Sequence, residues 1–102
     1  MNLNFLDFDY SEDPQGGGTF DAMASVRPEQ VAAVRAEIAR VLDWAHAAFP
    51  GQQASLDEGG EWDMDLQEAS EGDGAASWQT LSLVISGSPQ FCAAFRQRFD
   101  TD

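Results

Sequence analysis

Lysine is absent from the 102 residues, and five arginines are the only strongly basic side chains. A nucleic-acid backbone or an anionic membrane is held by clustered Lys and Arg, so both partner classes are excluded. Cysteine occurs once, at Cys92; no internal disulfide can form, and a reducing compartment is expected. One Cys and one His, His46, do not supply a structural zinc site. No stretch approaches the ~20 apolar residues of a membrane span. The start of the chain, Met1 to Asp7, lacks the basic residues and apolar run of a signal peptide. A cytoplasmic protein is the expectation, and the Ala-rich, Lys-free composition suits a GC-rich bacterial gene.

What is present is acid: 18 Asp and Glu give a net charge of −13. An aromatic content of 11% is nevertheless too high for a disordered acidic tail. The length suits one domain over residues 1–102, with one modest core.

Alternation of apolar and polar residues predicts strands at Leu6–Tyr10, Thr19–Val26, Trp62–Leu66 and Trp78–Ser86. Turn signals at Asp13–Gly18 and Glu71–Gly74 join them into two hairpins. Each hairpin then enters a helix through a proline, Pro28 or Pro89, where a fixed φ helps and a missing N–H costs nothing. Ser88 is a good N-cap for the second helix, whereas Arg27 is a poor one for the first. In the first helix Val31, Val34, Ile38, Leu42 and Ala45 form the apolar stripe, with Glu29, Glu37, Arg40 and Asp43 elsewhere. The second carries Phe91, Cys92, Phe95 and Phe99.

The plan is strand, strand, helix, given twice: residues 3–49, a connector at 50–61, and residues 62–100. It reads as an internal duplication. The expected fold is a two-layer α+β domain, a four-stranded antiparallel sheet of order 2-1-3-4 with two helices on one face. In that order the first and third strands are central neighbours.

Alternation sends Leu6, Phe8, Tyr10, Phe20, Ala22, Ala24, Trp62, Met64, Leu66, Leu81, Leu83 and Ile85 toward the helices. The open face then carries Asp7, Asp9, Asp21, Asp63 and Asp65, with Phe5, Met23, Trp78, Thr80, Ser82 and Val84 around them. On adjacent strands, Asp7 and Asp9 come within about 5 Å of Asp63 and Asp65. Each closest pair costs about 0.8 kcal/mol in bulk water and about 3 kcal/mol at the effective dielectric near a protein surface. A basic partner or a cation relieves that repulsion. The plain alternative is a sheet face kept wet by ordinary exposed charge.

Met23 and Trp78 are the candidate apolar anchors; for Trp78 the alternative is packing within the domain. Trp44 lies off its helix's stripe and is expected under the connector. A Cys92–His46 dyad needs an activated thiol, and burial in apolar surroundings makes a thiol inert. Paired carboxylates on a flat sheet lack the cleft of a glycosidase. The triplet Gly16–Gly18 joins two strands beside Glu12 and Asp13 and reads as a turn rather than an anion cradle.

These features predict a non-enzymatic module without cofactor, whose open face, through Asp7, Asp9, Asp21, Asp63, Asp65, Met23 and Trp78, occupies a basic groove on a protein partner. An immunity protein, an antitoxin or a nucleic-acid-mimicking inhibitor of a basic nuclease or toxin works in this way. Two other classes remain: a structural or homodimeric module whose acid is only solubilising, and a divalent-cation binder. Asp7, Asp9, Asp63 and Asp65 are the hard ligands for the latter, with Asp57, Glu58, Glu61, Glu68, Glu71 and Asp73 as looser sites.

Overall fold

The computed structural model describes residues 5–14, 16–54, 59–72 and 77–99. Its strands are β1 (Asp9–Glu12), β2 (Gly18–Val26), β3 (Trp62–Glu71) and β4 (Trp78–Gly87). Its helices are α1 (Val31–Ala48), entered through a single 3-10 turn at Pro28–Gln30, and α2 (Pro89–Phe99). This is an α+β fold in which all three strand pairings are antiparallel.

The strand order is β1-β2-β4-β3, not 2-1-3-4. A helix that returns antiparallel to β2 does deliver β3 parallel to it, as the connection requires; β4, not β1, fills the space between. The reason lies in side chains. β4 buries Leu81, Leu83 and Ile85 completely toward the helices and half-buries Val84 on its other face. β2 likewise buries Phe20, Ala22, Ala24 and Val26. The acidic strands β1 and β3 occupy the edges, which keeps their carboxylates apart and hydrated. The repeated element order holds, but β1 has four residues and β3 ten.

Leu6 and Phe8 are buried as expected, though they precede β1 rather than belong to it. Tyr10 and Met64 are only half-buried, and Leu66 is exposed, all three lying on the edge strands of the sheet. On α1 the stripe is completed by Val41, fully buried, while Leu42 is half-buried.

The main aromatic cluster joins the layers. Phe20 stacks on Phe95 at 4.1 Å, Phe8 meets Phe95 edge-on at 5.2 Å, and Trp62 stacks on Phe91 at 5.7 Å. Trp44 packs on Phe91, Phe95 and Phe99 of α2 and meets Phe49, just before the connector, edge-on. Ser88 caps α2, accepting the Phe91 N–H at 3.2 Å and donating to the Glu61 carboxylate. Arg27 makes no side-chain cap, and Gln30 Oε1 accepts its N–H instead. Gly87 is required beneath α2, since a methyl there would overlap the Phe91 ring.

Candidate functional site

The helices cover one side of the sheet, so the register defines what the other side presents. Directly paired residues share a face, and the pairings Asp9↔Asp21, Asp21↔Val84 and Asp65↔Val84 place four residues in one row across all four strands. Asp9, Asp21 and Asp65 are exposed and Val84 is half-buried. The next row is Ser11, Thr19, Ser86 and Asp63; the one on the other side holds Met23, Ser82 and Gln67.

Asp9 and Asp21 are therefore cross-strand neighbours, about 5.5 Å apart at Cα. Asp9 and Asp65 are separated by three strand spacings, roughly 14 Å. The pairs Asp7–Asp9 and Asp63–Asp65 thus do not meet at the centre of the sheet; that expectation fell with the strand order. Asp7 is exposed just before β1. Asp63 is half-buried, and its Oδ1 accepts the N–H of Met64 at 2.9 Å. Asp65 Oδ2 accepts from Gln67 Nε2 at 3.1 Å. Asp63, Met64, Asp65, Val84 and Ser86 line a shallow depression open to solvent.

Both proposed anchors are exposed, Met23 at 65% and Trp78 at 46%. Arg27 lies over the Trp78 ring at 5.5 Å from its centroid, so one side of that ring is already engaged within the domain. The other arginines with a placed partner sit toward the helices: Arg35 pairs with Glu68, Arg96 lies over Tyr10 and Arg98 over Phe99. Among the described residues no salt bridge reaches Asp9, Asp21, Asp63 or Asp65.

Glu37 is the charged residue that pattern reading misplaced. It is 4% exposed, and its carboxylate accepts the N–H of Phe5 (3.0 and 3.1 Å) and of Leu6 (3.1 Å). It ties the segment preceding β1 onto α1. Spacing carried the signal, since Glu37 is three residues after Val34 and four before Val41, both on the buried stripe.

Cys92 and His46 go separate ways. The Cys92 thiol donates to Gly87 O at 3.4 Å, and the His46 ring meets Trp62 edge-on at 5.0 Å. Burial pushes the Cys92 thiol above its ordinary pKa, against the lowering pull of a hydrogen bond with Tyr10. Tyr10 is also raised, chiefly by burial and then by Cys92. A protonated, enclosed thiol is not a nucleophile. Among the described residues no three His, Cys, Asp or Glu side chains are gathered closely enough to hold a metal ion; Asp57, Glu58 and Asp73 lie outside those residues. No described helix is long and apolar enough to cross a membrane.

Comparison with known proteins gives no match: no family model fits the chain, and neither a curated protein nor a solved structure matches it.

Proposed function

We propose that the chain is a non-enzymatic acidic binding module that occupies a basic groove on a partner protein through the uncovered face of its sheet. The observation that supports this most is the row Asp9–Asp21–Val84–Asp65, exposed and without an arginine partner among the described residues, flanked by exposed Met23. Carboxylates spread over roughly 14 Å act as a steering stripe rather than as a chelating cluster. Val84 and Met23 supply the apolar contact that slows release once the partner has docked. Inhibition of a basic nuclease or toxin, in the manner of an immunity protein or antitoxin, is the biological role that fits such a stripe. A second copy is a poorer occupant of the same face, because each copy brings the same acidic row and a net charge of −13.

Titration of the 15N-labelled protein with a hexa-arginine peptide at low salt tests the reading. Amide shifts should concentrate at Asp9, Asp21, Met23, Val84 and Asp65, and a D9N/D21N/D65N variant should bind at least tenfold more weakly. Shifts of equal size at the helix acids Glu29 and Asp43, with the triple variant binding as tightly as the parent, would show that the charge attracts cations without a docking face.

A further inference from the structure

The outer edge of β3 offers a more specific way to hold a basic partner. β3 pairs with β4 along its whole length and, among the described residues, with nothing on its other side except at its first residue. There the connector already adds a fragment of strand: Gln53 bridges Trp62 in parallel, and Ala54 N–H donates to Trp62 O at 3.0 Å. Trp62 therefore turns its backbone away from β4. The Glu61 carbonyl points the opposite way, accepting Ser88 N–H at 2.8 Å, while its N–H still donates to Gln52 O of the connector at 3.0 Å.

Antiparallel ladders alternate, so Met64, Leu66, Glu68 and Ser70 follow Trp62 in presenting N–H and C=O outward. Met64 N–H is satisfied by the Asp63 carboxylate. From Leu66 to Ser70 the outward groups face solvent on a run of exposed residues. Beside this edge stand Asp65, Gln67 and Glu71 on the open face, with Leu66, 36% exposed, on the helix side.

We propose that the Leu66–Ser70 edge of β3 is a docking edge at which an extended basic segment of a partner protein adds as a fifth strand. It deepens the reading above and rests on it for the sign of the partner's charge. Main-chain hydrogen bonds hold such a strand, and its alternate side chains give specificity. Those on the open face meet Asp65 and Glu71, which selects Lys or Arg. Those on the other side meet Leu66, which selects an apolar residue opposite it, and Glu68, whose charge is already paired with Arg35. The occupant is thus a segment alternating basic and apolar residues.

A second copy of β3 fits badly. Antiparallel pairing about Glu68 sets Asp65 opposite Glu71 twice. Pairing about Leu66 sets Ser70 opposite Trp62, whose outward carbonyl is already taken by Ala54, and Glu68 opposite Met64, whose N–H is taken by Asp63.

The probe is a nine-residue peptide of alternating lysine and valine with blocked ends, compared with two counterparts N-methylated at every lysine or at every valine. A strand added at an edge bonds through one of these two sets of N–H groups. One methylated peptide should bind at least tenfold more weakly than the parent and the other nearly as well. The parent peptide at saturation should slow hydrogen exchange of the Leu66, Glu68 and Ser70 amides at least tenfold. An L66P protein loses an outward N–H together with the Leu66 side chain and should bind the parent peptide several-fold more weakly.

Equal binding of all three peptides, with shifts confined to the Asp9–Asp21–Asp65 row, overturns the edge while leaving the open-face reading intact. Absence of binding by any of them, and by hexa-arginine, overturns both. A protein dimer that protects the same three amides before peptide is added also overturns the proposal, by assigning the edge to a second copy.

Discussion

The sheet has two acidic edges, and they are protected by different means. β1 is four residues long, and the segment leading into it is fastened by buried Leu6 and Phe8 and by three hydrogen bonds to the Glu37 carboxylate. β3 is ten residues long, covered at Trp62 by the connector, and beyond that, among the described residues, guarded by little except its own carboxylates. Short length and a side-chain clamp hide one edge. Charge alone guards the other, and charge discriminates: it repels a copy of the same strand and admits a strand of opposite sign.

The clamp is where the contrast breaks most strongly. Glu37→Ala strands two backbone N–H groups beside the core and removes charge-assisted hydrogen bonds, a loss of about 2–3 kcal/mol. Urea unfolding measures it, and hydrogen exchange should show the segment around Phe5–Glu12 opening while β3 is unaffected. Glu37→Gln retains one acceptor and should cost about half as much. At β3 the corresponding change is Gly60→Ala, where a methyl would overlap the Ala54 carbonyl and push the connector off the Trp62 edge. Overpacking of this kind costs about 1–3 kcal/mol. Its signature is faster exchange of the Ala54 and Trp62 amides. Farther along β3, Arg35→Ala removes the ion pair with Glu68. That pair is exposed, so the loss should stay below about 1 kcal/mol and shrink further in salt.

Much of this architecture is visible in the residue pattern, and the part that is not has a definite cause. The alternation in Trp62–Leu66 and Thr19–Val26, the Pro28 and Pro89 entries, and the Ser88 cap are local signals, and the elements stand where those signals put them. Strand order depends on which pairings bury the most apolar surface without bringing charges together, a comparison between distant segments. The deciding residues are Leu81, Leu83 and Ile85 with Val84 behind them, which make β4 apolar on its helix face and uncharged on the other, and the carboxylates of β1 and β3. The repulsion between neighbouring Asp-x-Asp strands argued against the 2-1-3-4 order, and weighing it would have moved both to the edges. Glu37 escapes a reading by residue type because its charge points to the surface while its position on the apolar stripe places it inside. The acidic face itself was legible, since it follows from alternation alone, while its arrangement as a row follows only from register.

That row supplies the finest comparison between the two edges. Asp9 and Asp21 face each other directly, whereas Asp65 has Val84 between it and Asp21. Like charges directly opposite on neighbouring strands are destabilising by about 0.2–1 kcal/mol, and the penalty fades with distance and salt. Asp21→Asn should therefore raise stability by a few tenths of a kcal/mol at low ionic strength, and Asp65→Asn should raise it less. Added to Asp21→Asn, Asp9→Asn should contribute less than it does alone, because the repulsion it relieves is already gone. At molar salt the gains should converge toward zero. Paired urea titrations at low and high salt resolve the ranking. An Asp65→Asn gain equal to that of Asp21→Asn would mean that the carboxylates of β3 sense the β1 side of the sheet as strongly as their own, contrary to the separation that the register imposes.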